Sequence, residues 1–225
     1  MISGGASGIG LAIANKFAAA GAQVAIADIT EVERNRENVH AFLCDVSTGK
    51  DVDTLFQLVH QQIGVPDILV CSAGRGIHEK LTEGDPEKWR QIIETNLLGS
   101  LRMVRAFTPG MLEAGHGDVV FISSVAAAQA YPYGGVYAAS KAALEAVAET
   151  LRLETLPTLR VTVVAPGVTD TNFFKNTVSG FHTAEDIGFG AIAPEAVADA
   201  VLYAVSQPPG VSVGYLTVRP TAQPF

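Results

Sequence analysis

The sequence predicts a doubly wound α/β fold, a central parallel sheet with helices on both faces. Three observations carry that expectation. Short β-branched runs alternate with longer stretches of helical period, and strand–helix alternation implies parallel strands joined by right-handed crossovers. The runs Ile68-Leu69-Val70-Cys71 and Val119-Val120-Phe121-Ile122 are apolar throughout, as strands covered on both faces require. A glycine-rich turn also stands directly before the first helical stretch.

Taken in order, residues 1–3 are all that remains for the strand that feeds the glycine turn. Either this strand is short or residues upstream of Met1 are missing from the sequence. A helical stretch at 11–20 follows, then strands at 23–27 and 41–44, with little room between Asp28 and Asp45 for a helix. A helix at 51–63 leads to the strand at 67–71. One long helical pattern at 87–113 precedes the strand at 118–122, and the helix at 137–156 precedes the strand at 161–165. A variable segment at 172–193 and a last strand at 216–218 complete the order. No linker or internal repeat divides the chain, so residues 1–225 read as one domain.

Composition narrows the function. A chain of 225 residues can bury roughly 70–75% of its unfolded surface without a disulfide or a metal. Its net charge of −8 is poorly suited to phosphate backbones or anionic lipid, so no nucleic-acid or membrane partner is expected. The apolar stretches are broken well before the ~20 residues that a spanning helix needs, and Met1-Ile2-Ser3-Gly4 does not read as a signal peptide. Cys44 and Cys71 lie in buried-strand patterns and read as unpaired thiols of a reducing, cytoplasmic compartment.

The turn Ser3-Gly4-Gly5-Ala6-Ser7-Gly8-Ile9-Gly10 has glycines where a pyrophosphate would approach backbone N–H groups at the positive end of a helix. Its spacing is not G-x-G-x-x-G, and no Gly-Lys-Ser/Thr follows to make a P-loop. Asp28, closing the next strand, can accept hydrogen bonds from both adenosine ribose hydroxyls and would repel a 2′-phosphate. Further along, Tyr137 and Lys141 stand four apart on a helix, on one face. A free tyrosine titrates near pH ~10. An ammonium one turn away, with a cationic nicotinamide ring nearby, is expected to favour the phenolate. Ser124, at a strand end, can hydrogen-bond a substrate oxygen.

With these residues in place, the chain resembles the short-chain dehydrogenases/reductases, in their short-subunit branch, from Met1 to about Val218. The family's Thr-Gly-x-x-x-Gly-x-Gly is matched by Ser3, Gly4, Gly8 and Gly10, and its Ser and Tyr-x-x-x-Lys by Ser124, Tyr137 and Lys141. Asn96, in Asn96-Leu97-Leu98-Gly99, matches the catalytic Asn that helps hold a water linking the Lys to solvent. Asp45-Val46 resembles the pair that borders the adenine, and Pro166-Gly167-Val168-Thr169-Asp170-Thr171 the stretch that binds the carboxamide. The resemblance implies a Rossmann fold and a catalytic set of Ser124, Tyr137, Lys141 and Asn96. It implies cofactor contacts at Ser3, Gly4, Ser7, Gly8, Ile9, Gly10, Asp28, Asp45, Val46, Ala73, Gly74, Tyr137, Lys141, Pro166, Gly167, Thr169 and Thr171, with no metal. NAD is expected over NADP, with a small alcohol or ketone substrate and a homo-oligomer, tetramer or dimer, paired through the two long helices. Ala142, Ala143, Ala146 and Ala148 are the small residues available for that pairing. The usual Asn-Asn-Ala-Gly reads Cys71-Ser72-Ala73-Gly74, so amide hydrogen bonds made there must be replaced or lost.

Other residues are weighed beside these. His40, His60, His78, His116 and His182 show no metal spacing and are expected at the surface, His182 standing out because it falls in the variable segment. That segment carries Phe173, Phe174, Phe181 and Phe189. The resemblance implies that it folds over the substrate as a lid with aromatics suited to an apolar ligand, the alternative being that these rings pack on the segment's own core. Trp89 reads as a helix-packing residue, whereas Gln129, Tyr131 and Tyr133 are candidates to line the pocket. Arg34 and Arg36 are the cations that could reach a 2′-phosphate. Two rivals remain, a non-catalytic dinucleotide sensor and a methyltransferase, the latter with no use for Ser124, Tyr137 and Lys141.

Overall fold

The computed structural model describes residues 1–31, 37–180 and 184–224. Arg34, Arg36, Phe181 and His182 lie outside the described residues. Seven strands, β1 (Ile2–Ser3), β2 (Val24–Asp28), β3 (Val39–Leu43), β4 (Ile68–Cys71), β5 (Gly117–Ile122), β6 (Leu159–Pro166) and β7 (Tyr215–Val218), form one sheet in the order β3-β2-β1-β4-β5-β6-β7. Every pairing is parallel. The order reverses at β1 and β4, which opens a crevice beyond the carboxyl ends of the strands.

The helices are α1 (Gly8–Ala19), α2 (Gly49–Gln62), α3 (Pro86–Ile93), α4 (Gly99–Ala114), α5 (Gly135–Thr155), α6 (Ala184–Ile187) and α7 (Pro194–Val205). Alternation along the strands sorts them into two layers. Leu69, Cys71, Val119, Phe121 and Val163 share a core with Val52 and Leu55 of α2, Phe107 and Met111 of α4, and Leu144 of α5. Val70, Val120, Ile122 and Val164 point to the other face and meet Ile13 and Phe17 of α1 and Val197 and Val201 of α7. The apolar runs of the central strands therefore serve two cores at once.

Three expectations need correction. The single helix at 87–113 is two helices, α3 and α4, joined by a π-helical turn at Glu94–Leu98. Such turns recur at functional sites, and this one carries Asn96, which is fully buried. Gly99 just after it leaves room for Val46, since a Cβ there would stand 2.7 Å from the valine side chain. The strand expected at 41–44 lies at Val39–Leu43, which leaves Cys44 just beyond it, buried and free like Cys71. On α5, Ala148 belongs to the core rather than to a free surface, whereas Ala142 and Ala146 are exposed. Helix α7, absent from the predicted stretches, starts on Pro194 and completes the second layer.

Candidate active site

The crevice at the strand ends is a single cavity of about 1360 Å³. That exceeds the ~300–1,000 Å³ usual for one small ligand and suits two side by side. At one end, β1 delivers the glycine turn to the start of α1. The turn is laced onto the end of β2: Gly4 N–H and Gly5 N–H donate to Ala27 O, at 2.8 and 3.3 Å. The Asp28 carboxylate closes the lacing, Oδ2 accepting from Ala6 N–H (3.0 Å) and Oδ1 from Thr30 N–H (3.1 Å). The N-cap Ser7 side chain does not cap the first turn of α1, and no acid lies in that turn, so its N–H groups are left to face an anion in the cavity. A Cβ on Gly10 would collide with the Gly4 carbonyl oxygen, and one on Gly4 would stand 2.8 Å from Ala73 Cα. The residues present thus fit a dinucleotide: a glycine cradle, an open helix N-terminus, and a fixed carboxylate where a ribose would end.

Beyond β5, Ser124 starts a short 3₁₀ turn at Val125–Ala127, its Oγ accepting from Ala126 N–H at 3.2 Å. Helix α5 brings Tyr137 to the same wall, and a hydrogen bond with Ser124 acts on its phenol. Lys141 lies one turn on, buried, its Nζ 5.9 Å from the Tyr137 ring centroid and donating to Ile122 O at 2.8 Å. The expectation that the ammonium lowers the phenol pKa is not met in the protein alone. Burial pushes Tyr137 up to about 12, with the Ser124 bond pulling the other way. Burial likewise draws Lys141 down to about 8, opposed by the nearby Cys71. The charged form of each group is the one that loses hydration, and Nζ directs a hydrogen bond to a backbone carbonyl rather than to the phenol.

Two predicted site residues stand behind the cavity wall. Ser3 is buried, and its Oγ accepts from Ser72 N–H (3.2 Å) and Ala73 N–H (3.3 Å) while donating to Val70 O. It braces the turn after β4, where the altered Cys71-Ser72-Ala73-Gly74 sequence lacks the usual amides. Asn96 grips the same turn further on: Oδ1 accepts from Arg75 N–H (2.8 Å), and Nδ2 donates to Arg75 O and Ser140 Oγ (both 3.0 Å). Its backbone carbonyl accepts from Ser100 Oγ. Gly74 separates Asn96 from Lys141, and a Cβ there would lie 3.3 Å from Asn96 Oδ1 and 3.5 Å from Lys141 Nζ. The other predicted residues, from Gly4 through Asp45, Val46 and Gly74 to Pro166, Thr169 and Thr171, line the cavity.

The wall around Tyr137 differs more from expectation. His78 is not a surface residue. It lines the cavity with Nε2 3.1 Å from Tyr131 Oη. Tyr131 and Tyr133 reach the cavity, whereas Gln129 is exposed elsewhere. Phe173 leans on Tyr137, ring centroids 5.6 Å apart, and Phe174 meets Phe173 edge-on. The segment around them is stitched to the chain after β4: Val178 N–H donates to Gly76 O and His78 N–H to Ser179 O. Glu79 anchors that seam. It accepts from Ser179 Oγ, Lys88 Nζ, Asp85 N–H and Trp89 Nε1. These bonds, that from Ser179 foremost, lower the carboxyl to about 2. Trp89 accordingly braces this seam and is not among the residues that line the cavity. Sequence reasoning also missed Gln223, a buried residue of the C-terminal tail that lines the cavity. For His78, its position just after Ala73-Gly74, where the chain leaves β4 at the crevice, is the usable signal. For Gln223 no local pattern gives one.

Comparison with known proteins agrees with this architecture. Residues 1–180 match the short chain dehydrogenase family. An uncharacterized oxidoreductase of Staphylococcus saprophyticus is 32% identical over 231 residues, covering 98% of this chain and 96% of its own. The closed form of a serine dehydrogenase complexed with NADP+ superposes with a TM-score of 0.90 at 27% identity, over 100% of this chain and 95% of its own. An alcohol dehydrogenase from the archaeon Thermococcus sibiricus, complexed with 5-hydroxy-NADP, gives 0.86 at 30% identity, over 99% and 96%. With a family match across most of its length and a Rossmann-type parallel sheet, the chain belongs to the short-chain dehydrogenase family and is an oxidoreductase.

Proposed function

We propose that the protein moves a hydride between NAD(H) and a carbonyl/secondary-alcohol pair, with Tyr137 as the acid/base. The observation that carries this reading is the convergence of Ser124, Tyr137 and Lys141 on one wall of a cavity whose far end is the glycine cradle. A bound nicotinamide would supply or accept the hydride. Ser124 orients the substrate oxygen, and the phenol of Tyr137 gives its proton to that oxygen in reduction and recovers it in oxidation. Lys141 supplies positive charge beneath the phenol, and Asn96, through the Gly74–Arg75 backbone, holds the turn against which Lys141 packs.

NAD is the cofactor favoured by the pocket, although two of the similar solved structures carry NADP-type ligands. The fixed carboxylate of Asp28 occupies the ground that a 2′-phosphate needs, and the neighbouring Ile29 is apolar and 67% exposed, with no charge to offer. We read residues 1–225 as one dinucleotide-binding domain, with 172–193 as its substrate lid, acting in the cytoplasm as a dimer or tetramer. Following a panel of ketones and alcohols at the nicotinamide absorbance band, with each cofactor, tests the reading. Turnover with NADH that disappears in Tyr137→Phe supports it. Tight NADH binding with no turnover of any carbonyl would favour a sensor instead.

A further inference from the structure

The tail after β7 turns back over the end of β6. Gly167 N–H donates to Val218 O (2.8 Å), and a turn closed by Gln223 N–H to Pro220 O (3.0 Å) carries the Gln223 side chain inward. Gln223 is only 5% exposed, and its side chain lies so close against Gly167 that a Cβ there would collide with its Oε1. Oε1 accepts from Val168 N–H at 3.0 Å. That bond fixes the amide's orientation, because a backbone N–H can face only the oxygen of the pair. The NH₂ group is then left with no protein partner among the described residues, and it is not sealed in: the residue lines the cavity. A buried amide whose two donors have no partner among the described residues, on a residue that lines a cavity, is a recognition group waiting for an acceptor.

Its place along the cavity identifies the acceptor. Thr171, three residues after Val168, packs against Gly8 at the helix start that suits a pyrophosphate, whereas Ser124 and Tyr137 mark the reacting atoms. A dinucleotide laid from one to the other presents its nicotinamide end beside the Gly167–Val168 backbone. We infer that Gln223 donates an amide N–H to the carboxamide oxygen of a bound nicotinamide, and that the C-terminal tail is thereby part of the cofactor site. This rests on the dinucleotide reading above.

The test is equilibrium binding. NADH and ADP-ribose, which lacks the nicotinamide, are titrated by fluorescence and calorimetry against the parent, Gln223→Glu and Gln223→Met. Glutamate keeps an acceptor for Val168 N–H but exchanges the amide donors for a negative charge. The neutral Gln223→Met variant and the ADP-ribose arm, which would also feel that charge, separate a lost donor from repulsion and from simple bracing of the backbone. Expected is a roughly tenfold weaker NADH Kd in both variants, the worth of about one hydrogen bond, with ADP-ribose within about twofold of the parent. NADH affinity unchanged in Gln223→Glu would overturn the inference while leaving the dinucleotide reading intact. Equal losses for NADH and ADP-ribose would also overturn it, by showing that the tail only shapes the groove. A parent that binds neither ligand would remove the dinucleotide reading, and this inference with it.

Discussion

The two ends of the cavity are built by opposite means. At the glycine-turn end, the groups come from the carboxyl ends of β1 and β2 and the first turn of α1, held by backbone hydrogen bonds between neighbouring parallel strands. At the other end, which we propose takes the substrate, the wall is irregular chain: the loop after β4, the segment between β5 and α5, and the stretch from Thr171 to Thr177. One side chain, Glu79, holds much of that wall, and its bond to Ser179 spans 100 positions of sequence. Tyr133, exposed and in the left-handed region at φ 69°, adds local strain on the same side, and its carbonyl accepts from Glu79 N–H. The sheet-borne wall is fixed by the fold itself, whereas the loop-borne wall depends on a few long-range polar contacts. Substitutions at the two ends should therefore separate cofactor binding from substrate binding.

The largest expected effect falls where the ends meet. Tyr137→Phe should lower kcat by the ~10²–10⁴-fold typical of a general acid–base group while leaving the NADH Kd nearly unchanged. A kcat within a few-fold of the parent would detach Tyr137 from the chemistry. Lys141→Met at the same junction should abolish most activity and yet stabilise the fold at pH 7 by about 1–3 kcal/mol, because a buried ammonium drawn down to about 8 opposes folding. The sign follows from the depressed lysine value. The penalty is full below pH 8 and fades as pH rises toward the ordinary lysine value near ~10.4. Urea melts of both proteins at pH 7 and pH 10 should thus converge at the higher pH.

Glu79→Ala breaks the substrate end alone. It leaves Trp89 Nε1, Ser179 Oγ and Asp85 N–H without their acceptor, a loss of about 2 kcal/mol. Substrate KM should rise severalfold, with roughly 30-fold as the ceiling if all of that energy bore on substrate binding, while the NADH Kd stays unmoved. An equal rise in both would erase the distinction between the ends. Because the Glu79 carboxyl sits near 2, the parent keeps this clamp at all pH above the ordinary carboxylate range and loses it only as pH falls through about 2. The smallest effect belongs to the cofactor end. Asp28→Ala should shrink a preference for NAD over NADP by about tenfold in kcat/KM, with substrate KM unchanged. Measured kcat/KM values that favour NADP(H) in the parent would reverse the reading of the adenosine pocket.

What the sequence determined by itself follows from periodicity and from chemistry confined to short spans. Doubly apolar strands force helices onto both faces. The glycines of the first turn and the four-residue spacing of Tyr137 and Lys141 put the cradle and the phenol–ammonium pair in place wherever the strands end. Only the tertiary structure decided the rest. Ser3 and Asn96 sit behind the wall because their hydrogen-bonding partners, Ser72, Ala73, Arg75 and Ser140, come from other elements. His78 meets Tyr131, Phe173 leans on Tyr137, and Gln223 reaches Val168 across long separations that no local pattern encodes. The Tyr137 and Lys141 pKa values are likewise set by burial, which depends on everything packed around the two side chains and not on the four-residue spacing between them.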